Sequence, residues 1–197
     1  MRTIRIIALA VVSLFTMAIA SSCGQRQAKN EAPEEAGTEA TVETVYTAID
    51  RYLTGTIGEG YDAAEYSIPF HSFAAVDESD PEDIQVIGTF WLLNYNLSGD
   101  TLNTASGGAY PGKMHVRKSG ESYEVTSFEP VADGSGFTSS AKAIFGDKYD
   151  EFMSAYSDDK AREAARLKAV AEFVKANGLG AKFIQDFGWP AVEIPTE

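Results

Sequence analysis

The two histidines of this sequence, His71 and His115, are the side chains best suited to acid–base chemistry near neutral pH. Both lie in stretches that predict β-strands. In a pocket, either could act as a general base beside a carboxylate such as Asp77 or Asp100. The spacing does not show that these side chains meet, and we favour the alternative in which each histidine lies on a sheet face with an ordinary polar partner.

Aromatic side chains offer a second kind of candidate site. Trp91, Tyr95, Tyr110 and Trp189 could form a stacking platform or line an apolar pocket for a sugar, a lipid or a peptide. Aromatic residues at these spacings more often belong to a core, whereas Tyr110 lies in a glycine-rich segment that predicts an exposed loop. The candidate ligand-binding residues are therefore Trp91, Tyr95, Tyr110, His71 and His115.

No pattern of metal ligands or nucleophiles accompanies these residues. The acidic stretch 77–83 fails the EF-hand pattern, because Ser79 and Pro81 occupy ligand positions and the glycine is missing, so it predicts a solvated turn. Residues 107–113 lack the Gly-Lys-Ser/Thr ending of a phosphate loop. The sequence has no Gly-x-Ser-x-Gly elbow and no cysteine–histidine cluster for zinc. We predict no catalytic residue, no metal and no cofactor.

The first residues follow the order of a bacterial export signal. Arg2 and Arg5 precede an apolar run over residues 6–19, which is short for a membrane span, and small residues at 20–22 lead to Cys23. The segment resembles a lipoprotein signal, which implies cleavage after residue 22 and acylation of Cys23, so that the lipid attaches the protein to a membrane. The alternative is an ordinary secretory signal with an incidental free cysteine.

Charge and composition divide the rest of the chain. Removal of residues 1–22 takes away two arginines and no acidic residue, so the net charge moves from −13 to −15. Such a surface repels nucleic acid and anionic lipid headgroups, which leaves a protein or a glycan as the expected partner. Residues 23–38 comprise the acylated cysteine and a flexible tether, because residues 24–38 hold no large apolar side chain. Residues 39–197 are the length of one domain.

Hydrophobic periodicity predicts the elements of this domain. Residues 39–53 carry apolar side chains at helical spacing, with Thr38 or Thr41 as the N-cap and Gly55 as the stop. Residues 67–76 alternate as a strand does, and Pro69 favours an edge position. Residues 84–97 are apolar on both faces, which is typical of a central strand that is covered on both sides.

The second half predicts two more strands and then helices. The return strand over residues 101–118 is expected to be interrupted by a loop or bulge at residues 107–112, and residues 123–131 complete an antiparallel meander. Short helices are predicted at 137–145 and 149–156, and a longer one from Ser157 to a C-cap at Asn177 and Gly178. The tail aromatics, Phe187 and Trp189 among them, are expected to pack onto the domain.

This order predicts an α+β fold, in which an N-terminal helix packs on a curved antiparallel sheet of three or four strands and C-terminal helices follow. It resembles the cystatin-like and NTF2-like folds over residues 40–131. The stretches FWLLNYNLSGDTL, SGGAYPGKMH and AIFGDKYDEFM are similar to a group of uncharacterised lipoproteins from gut-dwelling Gram-negative bacteria. That resemblance implies a lipid-anchored protein of the cell envelope, at the outer membrane, that faces either the periplasm or the surface.

Three functions remain open on the sequence. The first is a non-enzymatic binding or interaction module at the membrane. The second is an NTF2-like small-molecule or catalytic domain, which would need His71 or His115 in an enclosed pocket beside a carboxylate. The third is a surface carbohydrate or peptide binder, which would need Trp189 or Tyr110 exposed on an apolar patch. We favour the first.

Overall fold

The computed structural model describes residues 43–196. The predicted export signal, the predicted lipidation site Cys23, the predicted tether and the proposed caps Thr38 and Thr41 lie outside these residues. The elements, in chain order, are α1 (Val45–Tyr52), β1 (Tyr66–Asp77), β2 (Ile84–Ser98), β3 (Thr101–Ser119), β4 (Ser122–Pro130), α2 (Phe137–Phe145), α3 (Tyr149–Tyr156), α4 (Asp159–Ala176), β5 (Phe183–Gln185) and β6 (Val192–Glu193).

The sheet is a curled, mixed sheet. Strands β1 to β4 form an antiparallel meander, and Pro69 lies in β1 at the edge, as predicted. The tail adds two short strands that the sequence did not predict: β5 pairs in parallel with the start of β3, and β6 pairs with β5. The α+β class is confirmed, and the sheet is mixed where a purely antiparallel one was expected.

Helix α1 begins later and ends differently than predicted. Thr44 and Thr47 form a reciprocal cap, since each hydroxyl accepts a hydrogen bond from the other residue's backbone N–H. Gly55 does not stop the helix, because the chain continues through a wider π-type turn (Leu53–Ile57) and a 3₁₀ turn (Gly58–Gly60). The wider turn keeps Ile57 against the same core as the buried Leu53.

Strand β3 runs without the interruption predicted at residues 107–112. The extra residue lies earlier, because Asn94 pairs with Ser106 and Tyr95 with Thr104, which leaves Ala105 as a bulge. Gly112 stays in the ladder because it has no side chain: a Cβ there would overlap the carbonyl oxygen of Glu129 and the ring of Phe128. The glycines of this segment therefore let the neighbouring strands approach closely, and the segment is part of a strand where a loop or bulge was expected.

One face of the sheet is filled by α1. Ile49 and Leu53 of the helix pack with Val86, Phe90 and Met114 of the strands, and all five are buried. These side chains occupy the space between the helix and the sheet in which an enclosed pocket would lie. The prediction that β2 is covered on both faces is confirmed.

The C-terminal helices cover the other face. Helices α2 and α3 have their predicted bounds and pack over Ile87, while α4 packs over Ile68. Helix α4 ends as predicted, because Gly178 has a φ of 60° and the Leu179 N–H donates to the Val174 carbonyl. Within residues 43–196, none of the helices is long and apolar enough to cross a membrane.

Candidate functional site

The five predicted site residues do not converge on one site. His71, Phe90 and Tyr110 are cross-strand neighbours, which places His71 and Tyr110 on the face covered by α1. Trp91 and Tyr95 lie on the opposite face, where Tyr95 joins the core beneath α4. His115 lies near the far end of β3 and pairs across the sheet with Gln85. The five side chains therefore lie on opposite faces and at different ends of the sheet.

His71 lies beside a carboxylate that sequence reasoning did not name. The Nε2 atom of His71 is 3.6 Å from Oδ1 of Asp50 on α1, and its ring stacks on Phe73 at 4.2 Å between centroids. Oδ1 of Asp50 is buried and has no hydrogen-bond partner within residues 43–196. Burial raises the pKa of Asp50 to about 6 and lowers the pKa of His71 to about 4. The suggested partners Asp77 and Asp100 are therefore wrong for His71.

We expect the Asp50→Asn variant to be more stable than the wild type at pH 8. The folded-state pKa of Asp50 lies above its ordinary value of 3.8, so the ionised carboxylate destabilises the fold above about pH 6. That penalty shrinks as the pH falls from 6 towards 4, because the folded state then binds a proton that the unfolded state releases. Thermal unfolding of the wild type and the Asp50→Asn variant from pH 4 to pH 8 measures the difference in stability, with Asp62→Asn as the exposed control. A gain in stability at pH 4 as large as the gain at pH 8 would contradict the raised pKa of Asp50.

His115 is held between two carboxylates, which indicates a structural role. Its Nδ1 lies 2.6 Å from a carboxylate oxygen of Asp83, and its Nε2 lies 2.8 Å from one of Glu129. Burial lowers the pKa of His115, but the hydrogen bonds and charges of Glu129 and Asp83 outweigh it, so the pKa is raised above its usual value. Both ring nitrogens are engaged, which leaves neither for a ligand. The described residues contain no group of three His, Cys, Asp or Glu side chains arranged to hold a metal ion.

The predicted aromatic contacts also take other roles. Tyr95 is 0% exposed and belongs to the core, so its assignment as a ligand contact is wrong. Trp91 stacks on Phe70 with 4.9 Å between ring centroids and 1° between the planes. Tyr110 lies within β3 and is only partly exposed, and its hydroxyl contacts that of Tyr61. Burial, followed by the effect of Tyr61, raises the pKa of Tyr110.

The two most exposed aromatic residues of the described chain lie at the turn between β5 and β6. Phe187 is 98% exposed and Trp189 is 71% exposed, so the prediction that both pack onto the domain is wrong. A tight turn places them there, because the Trp189 N–H donates to the Asp186 carbonyl at 3.0 Å and Gly188 has a φ of 79°. The Phe-Gly-Trp-Pro order was the available signal, since glycine and proline mark an exposed turn.

A pocket of about 290 Å³ lies between this turn and α4. We call it the Trp189 pocket. Its principal lining residues are Glu163 and Arg166 of α4 with Asp186, Trp189, Pro190 and Val192 of the hairpin. The α4 side of the pocket is therefore charged, and the hairpin side carries Asp186 together with apolar side chains.

A salt bridge forms the floor of the Trp189 pocket. The Arg166 side chain is 11% exposed, and its guanidinium donates to both carboxylate oxygens of Asp186, at 2.7 and 2.8 Å. Its Nε donates to the hydroxyl of Tyr95 at 3.2 Å, and the Thr104 hydroxyl donates to Asp186 at 2.6 Å. The hydrogen bond from Arg166 lowers the pKa of Asp186. The floor is thus fixed to both α4 and the sheet.

A wider hollow of about 540 Å³ lies between α1 and β4. Arg51 pairs with Glu43 and also donates to the Tyr123 carbonyl at 2.8 Å, while Glu43 accepts a hydrogen bond from the Tyr123 backbone. The hydrogen bond from Arg51 lowers the pKa of Glu43. The ion pair thereby satisfies backbone groups on the outer edge of β4, which is a common way to protect a strand edge.

Comparison with known proteins adds no assignment to this geometry. A scan against protein-family models, a search of curated proteins and a search of solved structures each give no match.

Proposed function

We propose that this protein is a lipid-anchored binding module of the bacterial cell envelope, and that its ligand occupies the Trp189 pocket. The observation that supports the proposal most is the 71% exposure of Trp189 on a hydrogen-bonded turn above the Arg166–Asp186 pair. Exposing a tryptophan to water is unfavourable, and a fixed turn presents it without an entropic penalty on binding. Rigid aromatic residues beside polar groups are typical of binding sites.

The surroundings of the histidines favour binding over catalysis. An NTF2-like catalytic domain would need an enclosed cavity between α1 and the sheet, and buried side chains such as Ile49 and Phe90 occupy that space. His115 is held between two carboxylates, and His71 stacks on Phe73. A general base needs a substrate proton within hydrogen-bond reach. The exposed Trp189 instead favours the surface carbohydrate or peptide binder.

Trp189→Ala tests the ligand site. The full chain carrying Trp91→Phe has Trp189 as its only tryptophan, so its fluorescence reports on the pocket directly. We expect soluble oligosaccharides or short peptides to shift this emission. For any such ligand, Trp189→Ala in the wild-type background should weaken binding by about 2 kcal/mol, roughly 30-fold, in isothermal titration calorimetry.

Phe187→Ala is the matched control for this test. Phe187 is more exposed than Trp189, but it does not line the pocket. Its removal is expected to change the affinity less than about threefold, within the ±0.5 kcal/mol typical of neutral surface substitutions. A ligand whose affinity is unchanged by Trp189→Ala would place the binding site elsewhere.

The proposed anchor is tested by Cys23→Ser. Expressed in a Gram-negative host, the wild-type chain is expected to carry acyl chains at Cys23 in mass spectrometry and the variant to carry none, because serine does not form the thioether that carries the lipid. Detergent should release the wild-type chain from the membrane fraction, and high salt should not. A wild-type chain without an acyl group at Cys23 would contradict the lipid anchor.

A further inference from the structure

We infer that the Trp189 pocket binds a neutral saccharide, recognised by a sugar ring that lies on Trp189 while its hydroxyl groups donate to the carboxylates of the pocket. This inference rests on the proposed function and adds the chemical class of the ligand. It follows from which polar groups of the pocket are already engaged, which remain free, and how they face the apolar wall.

Anionic ligands are disfavoured because the cation of the pocket is already paired. Two nitrogens of Arg166 donate to the two oxygens of Asp186, which is the fork geometry that would otherwise hold a phosphate or a carboxylate. Its Nε donates to Tyr95. An anion would have to displace Asp186 and would then face both Asp186 and Glu163. The pocket as a whole carries one more negative than positive charge.

The polar groups that remain free are hydrogen-bond acceptors. The side chain of Glu163 is 46% exposed, and its nearest cationic atom, Nη1 of Arg166, is 3.9 Å away, which is too far for a hydrogen bond. Asp186 is 41% exposed, and its Oδ2, which accepts only from Arg166, keeps a lone pair for a further donor. Acceptors need donors from the ligand, and hydroxyl groups supply them without adding charge.

The opposite wall suits the apolar face of a sugar ring. Trp189, Pro190 and Val192 form this wall, and the turn that carries Trp189 is held by backbone hydrogen bonds. A pyranose ring presents C–H groups on one face and hydroxyl groups around its edge, which matches an indole on one side and carboxylates on the other. At about 290 Å³ the pocket is at the small end of the roughly 300–1,000 Å³ range of ligand sites, which favours one or two rings over an extended peptide.

A cationic side chain is the closest rival, because it could also lie on Trp189 beside Glu163. Arg166 opposes it, because a cation that reaches Glu163 would lie within a few ångströms of the guanidinium of Arg166, whose side chain is only 11% exposed. Asp186 offsets part of this repulsion, so the margin against a cation is small, and the trilysine titration decides between the two ligands. A neutral donor avoids this penalty.

The experiment is a titration of the full-length chain carrying Trp91→Phe with maltotriose, cellotriose and chitotriose, and separately with trilysine, while Trp189 fluorescence is followed. We expect at least one saccharide to shift the emission, with an affinity that changes less than about twofold between 50 and 500 mM NaCl, since no ion pair forms. Glu163→Gln keeps an amide oxygen as acceptor and should weaken saccharide binding by less than about fivefold, whereas Glu163→Leu should weaken it by tenfold or more. Glu172→Gln, on the same helix outside the pocket, is the control.

The outcomes separate the two proposals. In one outcome trilysine binds at Trp189, its affinity falls with salt, its binding is lost in Glu163→Gln, and the saccharides do not bind. The saccharide inference is then wrong and the ligand site stands. If a saccharide binds with unchanged affinity after Trp189→Ala, its site is elsewhere and the inference fails. If neither ligand class moves the Trp189 emission, both the inference and the proposed ligand site are overturned.

Discussion

The Gly112→Ala variant is expected to be less stable than the wild type by about 3 kcal/mol, at the upper end of what overpacking by one methyl group costs. The added Cβ would overlap the Glu129 carbonyl oxygen of β4 and lie 2.5 Å from the Phe128 ring. Neither neighbour can move freely, because Phe128 packs against the α1 core and the Glu129 backbone belongs to the β3–β4 ladder. Urea denaturation measures the loss as a lower midpoint at an unchanged slope.

Gly60→Ala is the control for this substitution. A Cβ at Gly60 would meet no heavy atom within 4 Å, and Gly60 is not among the glycines with positive φ. Alanine there should change the unfolding free energy by less than about 1 kcal/mol, with any gain arising because alanine restricts the unfolded chain. Similar losses in both variants would show that general glycine effects, and not the contact with β4, determine the result.

The same segment shows where sequence patterns stop being informative. Glycine and proline at residues 107–112 are typical of loops and bulges, and a loop or bulge was predicted there. What the glycines do depends on Phe128 and Glu129 of the next strand and on Leu92 of the preceding one, whose carbonyl oxygen would lie 2.5 Å from a Cβ at Gly107. A single sequence does not record which residues approach a glycine across a sheet.

Local signals were sufficient for the C-terminal helices. Gly146 separates α2 from α3, and the Asn177–Gly178 cap acts within one turn of α4, so the sequence predicts these boundaries well. The start of helix α1 was harder to predict, because several threonines of the sequence near it are suitable caps, and the structure has Thr44 in that role. Its end is set by the core contacts of Ile57, which outweigh the preference of Gly55 to stop a helix.

The Trp189 pocket was not predictable from the sequence for a related reason. Arg166 is on α4 and Asp186 is in the hairpin, and their pairing depends on how β5 joins the sheet. Trp189 was expected to pack onto the domain because of its residue type, although its position after Gly188 determines its exposure. Tyr95 was placed in a site for the same kind of reason and is buried, yet it supports the pocket through Arg166.

That support can be measured with two substitutions at Tyr95. Tyr95→Ala removes a ring that is 0% exposed and leaves a cavity beneath α4, so we expect a loss of about 3–5 kcal/mol in the free energy of unfolding. Tyr95→Phe keeps the ring and removes only the hydroxyl that accepts from Arg166, which should cost about 1–2 kcal/mol. Chemical denaturation of the two variants separates the packing of the ring from its hydrogen bond.

Tyr95→Phe also connects the core to the proposed function. Without the Tyr95 hydroxyl, Arg166 loses one of the partners that fix its guanidinium, while its pair with Asp186 remains. The domain should stay folded and bind its ligand more weakly, because the pocket floor is less rigidly held and more of it must be ordered on binding. If Tyr95→Phe matched the wild type in both stability and affinity, the hydroxyl would have no positioning role, and the Arg166–Asp186 pair alone would set the geometry of the floor.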